Sequence, residues 1–122
     1  MKFCWVTIIV KNMEDSIKFY QDIVGLKINR RFEAGPGVEI VFLGDEDGGT
    51  QVELIHNEYI QNINVGKDIS LGFLVDSVDT QMKFVEEKGI EIHDGPFQPN
   101  PSTRFFYVLD PNNIRIQFIE QK

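Results

Sequence analysis

Few side chains in this sequence have both the chemistry and the setting for a reaction. Glu53 is the clearest of them, because it alternates with the apolar residues Val52 and Leu54 and therefore projects from the opposite face of a strand. A carboxylate that is flanked there by Trp5 and Ile55 is shielded from water and can act as a general base. A structural carboxylate held by a side-chain amide fits the same residues, so Glu53 is a candidate catalytic residue and no more.

The cysteine and the histidines do not add a metal centre or a nucleophile. With one cysteine the chain can form neither an internal disulfide nor a cysteine-based zinc site. Cys4 lies among strand-like apolar residues, which predicts a buried structural thiol. His56 falls on the strand face opposite Glu53, and His93 comes shortly before a turn, so we interpret both as surface residues.

The overall charge narrows the choice of partners. The formal net charge is -7, and hydrophobic residues make up 42% of the chain, as in a globular domain that buries one core. So acidic a chain repels phosphate backbones and anionic membrane surfaces, which argues against nucleic-acid and membrane partners. No apolar run approaches the roughly 20 residues that span a bilayer, and no leader peptide is recognisable, so we expect a cytoplasmic protein.

The residues around Glu53 belong to a first set of predicted elements. Residues 3–10 are rich in β-branched and aromatic types and predict a strand. Asn12 then offers an N-cap for a helix that ends at Gly25. Glycine-rich turns separate three further predicted strands, over residues 26–32, 38–43 and 51–56.

The same order of elements follows a second time. A predicted strand over residues 69–75 leads into a helix over 78–88, which Gly89 terminates. Further strands are predicted over residues 90–93, 105–109 and 114–120. The proline-rich residues 94–102 predict a loop, either inert or closing over a ligand with Phe97 as its apolar contact. A turn at residues 110–113 joins the last two strands, with an asparagine suited to a left-handed position.

Aligning the two sets of elements reveals an internal repeat. Ser70 falls on Trp5, and one deletion brings Gln117 onto Glu53. The repeat predicts an α+β fold of two tandem βαβββ modules, residues 1–60 and 68–122, within a single domain. A polar connector over residues 57–67 joins them. We expect the modules to form a curved mixed sheet whose concave cleft lies away from the helices.

The side chains on the predicted concave face form the candidate ligand site. By strand alternation, Trp5 and Thr7 share that face with Glu53, and Arg115 and Gln117 share it in the last strand. An indole there offers stacking and cation–π contacts to a ligand, and an arginine offers its charge to an anion. Core packing explains each aromatic residue equally well. The alternation and the repeat therefore predict Trp5, Thr7, Ser70, Arg115 and Gln117 as ligand-binding residues.

Three segments of the sequence resemble the motifs of one superfamily. Residues 16–20, S-I-K-F-Y, precede V-G-L at 24–26 and resemble its S-I-x-F-Y…L-G-L signature. Residues 52–54, V-E-L, resemble its I-E-L strand, and D-P-N-N at 110–113 with I-Q-F at 116–118 resembles its D-P-D-G…I-E-L ending. On these motifs the chain is identified as a member of the vicinal-oxygen-chelate superfamily, which includes glyoxalases, bleomycin-resistance proteins and dioxygenases.

The resemblance also implies where a metal would bind. Metal-dependent members hold a divalent ion at four repeat-related positions, typically with His, Glu or Gln, His and Glu. Those positions here carry Trp5, Glu53, Ser70 and Gln117. Tryptophan cannot ligate a metal, serine is a weak neutral donor and glutamine offers one amide oxygen, so we predict no metal site and no cofactor.

The resemblance implies two functions of different classes. The preferred prediction is a metal-free homodimer that binds a small organic ligand, as the bleomycin-resistance proteins do in aromatic-lined clefts. The alternative is a glyoxalase-like lyase or isomerase that uses Glu53 with a weak divalent metal site, so enzyme activity stays open. Where related enzymes place a ligand-contacting tyrosine, this chain has Tyr107, and Phe105 shares its face. The resemblance therefore adds Phe105 and Tyr107 to the predicted ligand-binding residues. A protein-interaction module is a third possibility, favoured if the cleft is filled by the protein's own side chains.

Overall fold

The first unit of the chain, Met1–Asn64, is a four-stranded mixed sheet with one helix. The computed structural model describes all residues from 1 to 122. The strand order is β1-β4-β3-β2, with β1 parallel to β4 and the other pairs antiparallel. In chain order the elements are β1 (Trp5–Ile9), α1 (Met13–Lys18), a π-helical turn (Phe19–Ile23), β2 (Lys27–Glu33), β3 (Val38–Gly44) and β4 (Gln51–Asn57).

The second unit, Val65–Lys122, repeats this topology. Its strand order is β5-β8-β7-β6, with β5 parallel to β8 and the other pairs antiparallel. The repeat confirms the predicted α+β fold of two βαβββ modules. The elements are β5 (Ser70–Leu74), α2 (Val78–Glu87), β6 (Asp94–Asn100), β7 (Thr103–Leu109) and β8 (Arg115–Gln121).

Polar caps and left-handed glycines set the limits of both helical segments. The Asn12 side chain accepts a hydrogen bond from the Asp15 amide at 3.0 Å, as the sequence predicts, and Ser77 caps α2 in the same way. Gly25 and Gly89 follow the two segments with φ of 86° and 78°. A side chain with a β-carbon is strained in that conformation, so glycine lets the chain turn back into a strand.

Each unit buries one face of its sheet beneath its own helix. Because side chains alternate along a strand, the residues between the buried ones project from the other face, and there the polar and aromatic candidates lie. The fully buried side chains include Tyr20, Val41, Leu43 and Leu54 in the first unit and Val85, Phe106, Val108 and Ile116 in the second.

The structure corrects the prediction for Cys4, which is exposed rather than buried. The ladder between β1 and β4 begins with Trp5 opposite Gln51, so the residues before Trp5 extend beyond the paired part of the strand. Apolar composition alone did not reveal where that pairing starts.

The structure also corrects the predicted elements between α2 and β7. Residues 90–93 do not form a strand, although the His93 amide donates to the Tyr107 carbonyl at 2.8 Å. The strand is instead the proline-rich segment Asp94–Asn100, which pairs with β7 as the outer strand of its sheet. An outer strand tolerates proline because one of its edges needs no hydrogen-bond donor. No helix in the chain has the length and apolar character needed to cross a membrane.

Candidate functional site

In the first unit, Glu53 lies at the centre of the sheet face turned away from α1. The register places it between Thr7 on β1 and Phe42 on β3, and directly paired residues point to the same side of a sheet. Trp5 shares this face because it lies two residues before Thr7 on the same strand. The structure therefore brings together the three candidates predicted in this half of the chain, Trp5, Thr7 and Glu53.

The Glu53 carboxylate is nearly buried, with a relative exposure of 9%. The hydroxyl of Thr7 donates a hydrogen bond of 2.5 Å to its Oε1. No lysine, arginine or histidine forms an ion pair with it. Glu53 is thus a negative charge held by a neutral donor, and a cation that approaches this face would supply its missing counter-charge.

Aromatic rings surround Glu53 on this face. The Trp5 indole packs edge-on against Phe42, with the ring centroids 5.1 Å apart, and Phe32 stacks on Phe42 from the other side at 6.4 Å. The Arg30 guanidinium lies 4.8 Å from the centroid of Phe32. Trp5 keeps 48% of its surface exposed, so one part of a well-supported indole faces solvent. We call the set Trp5, Phe32, Phe42 and Glu53 the first aromatic face.

Sequence reasoning missed two members of the first aromatic face, Phe32 and Phe42, and the arginine beside them, Arg30. Phe32, Phe42 and Arg30 come from β2 and β3, and only the strand register brings them beside Trp5. Alternation within β2 does place Arg30 and Phe32 on one side. The sequence therefore indicates that Arg30 and Phe32 share a side of the strand, but it does not indicate whether that side is the one on which Glu53 lies.

In the second unit, Gln117 occupies the place that Glu53 has in the first. It lies between Gly72 on β5 and Tyr107 on β7, and its Nε2 donates to the Tyr107 hydroxyl at 3.4 Å. Ser70 lies opposite Arg115 on the neighbouring strand, and it is exposed. The structure therefore groups four of the candidates predicted in this half, Ser70, Tyr107, Arg115 and Gln117.

Three aromatic rings and one arginine cover the rest of this second face. Tyr107 packs edge-on against Phe105 with centroids 5.8 Å apart, and Phe97 from β6 contacts Phe105 at 5.4 Å. The Arg115 guanidinium lies 4.1 Å above the ring of Tyr107. Phe97 is 40% exposed, so the aromatic surface is open to solvent at its outer strand. We call Phe97, Phe105, Tyr107, Arg115 and Gln117 the second aromatic face.

The strand registers reproduce the internal repeat that the sequence alignment predicts. Trp5 precedes the partner of Glu53 by two residues, and Ser70 precedes the partner of Gln117 by two. The equivalent of Thr7 in the second unit is Gly72, at which a β-carbon would lie 3.1 Å from the Gln117 Oε1. The second unit therefore has no side chain where the first has the threonine that donates to Glu53, and the Gln117 amide oxygen lies close to this position.

The four family metal positions carry a donor set that does not suit a divalent metal. The indole of Trp5 packs on Phe42 and offers no ligand atom, and Gln117 offers only the neutral Oε1 of an amide whose Nε2 donates to Tyr107. Only Glu53 supplies an anionic oxygen, and within neither unit do three or more His, Cys, Asp or Glu side chains come together. Divalent transition metals in proteins need several imidazole, carboxylate or thiolate ligands, so these residues do not fit one.

Comparison with known proteins agrees with the fold and the motifs. Residues 2–118 match the family model of the Glyoxalase/Bleomycin resistance protein/Dioxygenase superfamily. A lactoylglutathione lyase of Haemophilus influenzae is 33% identical over 122 residues, covering 93% of this chain and 87% of that protein.

Two solved structures share the fold at low sequence identity. A glyoxalase family protein from Bacillus cereus superposes with a TM-score of 0.84 at 20% identity, covering 99% of this chain and 94% of its own. An antibiotic binding protein from Streptomyces superposes with a TM-score of 0.79 at 19% identity, covering 100% and 97%. The chain belongs to the glyoxalase/bleomycin resistance protein/dioxygenase superfamily.

Proposed function

We propose that this protein binds a small organic ligand on the aromatic faces of its sheets, without a metal at the four positions where metal-dependent relatives carry ligands. The observation that carries the proposal is the first aromatic face. There a half-exposed tryptophan, braced by Phe42, lies on the same side of the sheet as an unpaired carboxylate. Ligand sites in proteins combine such apolar surface with a few fixed polar groups.

The chemistry of the first aromatic face favours an aromatic cation. The exposed part of the Trp5 indole offers a flat surface for stacking and for a cation–π contact. Glu53 offers a carboxylate that forms no ion pair, and Arg30, which shares this face, lies over the rings of Phe32 and Phe42 instead. A ligand with an aromatic body and one ammonium group would use both features at once.

The comparisons support ligand binding at the level of the family. The family name includes bleomycin resistance proteins, and one protein of the same fold is an antibiotic binding protein. At 19% identity that likeness concerns the fold, so the ligand itself has to be argued from the residues of this chain.

An alternative is a glyoxalase-like lyase or isomerase. It is favoured by the lactoylglutathione lyase from Haemophilus influenzae, the relative with 33% identity. In that case Glu53 would accept a proton from the substrate, and Thr7, its hydrogen-bond donor, would hold the carboxylate in place. The donor set at the four family positions speaks against this alternative, because it lacks three of the ligands a divalent metal would need.

The proposal includes a cytoplasmic homodimer, as the family resemblance implies. The free thiol of Cys4 suits a reducing compartment. Leu74 is a large apolar side chain exposed on β5, an edge strand of its sheet, and Ile69 is exposed directly before this strand. A second subunit would remove such surface from water.

The proposal can be tested at a single reporter, because Trp5 is the only tryptophan. Titration of nitrogen-15-labelled protein with naphthylmethylamine, an aromatic cation, should shift the indole N–H resonance with saturation. Trp5→Ala should then weaken binding about tenfold or more in calorimetry, since it removes the stacking surface.

The control replaces an aromatic residue outside both faces. Tyr59 is exposed in the turn after β4, and Tyr59→Ala should leave the affinity for naphthylmethylamine unchanged. Equal weakening by the two substitutions, or no response of the indole resonance to the probe, would contradict binding on the first aromatic face.

A further inference from the structure

The second aromatic face contains an arginine that lacks a counter-ion. Arg115 forms no ion pair in the structure, and its Nε is buried without a hydrogen-bond acceptor. The carbon of its guanidinium lies 4.1 Å from the centroid of the Tyr107 ring. This cation–π contact holds the guanidinium on the face, and its planar fork of N–H donors is suited to the two oxygens of a carboxylate.

Another arginine of the same unit, in contrast to Arg115, forms an ion pair. Arg104 lies on the opposite face of β7 and contacts Asp79 of α2, with Nη1 and Oδ1 3.0 Å apart. On the Arg115 side the nearest acidic residue in the register is Asp94, opposite Tyr107. Its carboxylate accepts the Gly95 amide and forms no ion pair with Arg115. The missing counter-ion is therefore specific to the Arg115 side of the sheet.

The groups around Arg115 can complete an anion site. The Tyr107 hydroxyl accepts from the Gln117 amide, so its own hydrogen is available to a ligand oxygen. The Ser70 hydroxyl lies opposite Arg115 on β5 and is exposed. Gly72, where the first unit has a threonine, places no side chain between Gln117 and the edge of the sheet. Three donors, the Arg115 guanidinium and the hydroxyls of Tyr107 and Ser70, thus lie on one face.

We propose that the second aromatic face binds an aromatic monocarboxylate. The carboxylate pairs with Arg115 and accepts the Tyr107 hydroxyl, and the aromatic body packs on Phe97 and Phe105. One unpaired arginine balances one negative charge. A phosphate dianion would add uncompensated charge to a protein whose net charge is already -7. This inference rests on the proposed ligand-binding function and names the ligand class of the second face.

The test compares two probes that differ only in the head group. Naphthoate carries a carboxylate, and naphthamide is its neutral amide. Calorimetric titration of the whole protein should give an affinity for naphthoate at least about tenfold higher, because a charge-assisted pair with Arg115 is lost in the amide. Added salt should weaken naphthoate binding and leave naphthamide binding unchanged.

Substitution of the arginine should remove this preference. Arg115→Gln should lower the naphthoate affinity about 10- to 100-fold and leave the naphthamide affinity nearly the same. Arg115→Lys should give an intermediate value, since it keeps the charge and loses the planar fork. The matched control is Arg104→Gln on the other face of the same sheet, which should not change naphthoate binding.

The outcomes separate this inference from the proposed function. Equal affinities for the two probes, or naphthoate binding that Arg115→Gln does not weaken, would overturn the anion site while ligand binding stands. The anion site is also overturned, and ligand binding stands, if neither naphthoate nor naphthamide binds but naphthylmethylamine still shifts the Trp5 resonance. Failure of all three probes would refute both proposals. The salt series on unmodified protein decides the point even if the variants do not fold.

Discussion

Glu53 has a residue type that the metal-dependent relatives use at this position, whereas the residues at the other three metal positions differ. Its equivalent in the repeat is Gln117, and the remaining two family positions hold an indole and an exposed hydroxyl. The carboxylate is left with a threonine donor and aromatic neighbours in place of metal-binding partners. These residues favour a ligand cation over a metal ion as the partner of Glu53.

A first prediction concerns this carboxylate. Glu53→Gln should weaken naphthylmethylamine binding by no more than about tenfold, because the glutamine keeps the shape and a hydrogen bond with Thr7 and loses only the charge. Calorimetry measures the change. A lyase that depended on Glu53 would behave differently. The unmodified protein would show lactoylglutathione lyase turnover, and Glu53→Gln would lower that turnover about 100-fold or more while substrate binding persists.

The sequence predicts part of the candidate site at the level of residues. Alternation and the internal repeat are enough to place Trp5, Thr7 and Glu53 on one face, since both signals depend only on spacing. Phe42 and Arg30 were missed because their position beside Trp5 depends on which residues pair across β2, β3 and β4. The prediction that Cys4 is buried was wrong for a related reason, because the residue at which β1 begins to pair with β4 depends on the tertiary structure.

At the scale of elements, the turn between β7 and β8 follows the sequence closely. The turn predicted at residues 110–113 is present, and Asn113 has a φ of 66°, the left-handed conformation that asparagine tolerates. The Asp110 carboxylate organises the turn by accepting the amides of Asn112 at 2.8 Å and Ile114 at 2.9 Å. Short-range hydrogen bonds of this kind are encoded locally, which makes them predictable.

The turn leads to a prediction about stability. Asp110 is only 3% exposed, so Asp110→Ala leaves buried amides without an acceptor and should lower the free energy of unfolding by about 3 kcal/mol. Asp45 accepts two amides in the exposed turn after β3, and Asp45→Ala should cost less than about 1 kcal/mol because water replaces it. Urea unfolding of both variants gives the comparison. Equal losses would mean that burial does not set the contribution of Asp110.

Strand β6 is the element that the sequence does not predict. Its sequence contains two prolines and pairs with β7 at only three positions, with register shifts between them. Proline argues against a strand when sequence alone is considered, and only a position at the sheet edge removes that objection. The edge position depends on the order of all four strands, which local composition does not encode.

At the scale of the whole molecule, the repeated order of elements made the fold class predictable. Both units use one helix to bury one sheet face. The two helix periods and seven of the eight strands, all except β6, are visible as apolar patterns with turn residues between them. The same regularity leaves the opposite face of each sheet to residues with other roles. Those faces differ between the units, with an unpaired carboxylate on one and an unpaired arginine on the other.

The proposed homodimer is also a property of the whole molecule. Sedimentation equilibrium should give twice the chain mass of 14.1 kDa. Replacing the exposed Leu74 of β5 with lysine should shift the equilibrium toward the monomer if that edge takes part in the contact. A monomer at all concentrations would contradict the proposal and leave the ligand faces unaffected.

Thermal unfolding in the presence of Ni, Zn, Mn and Mg, together with metal analysis of the purified protein, tests the central claim most directly. A metal that binds the native state raises the melting temperature by mass action. The metal-free account predicts no stoichiometric metal and no shift with any of the four ions. A stoichiometric metal that raises the melting temperature and is lost in Glu53→Ala would contradict the account and favour the lyase.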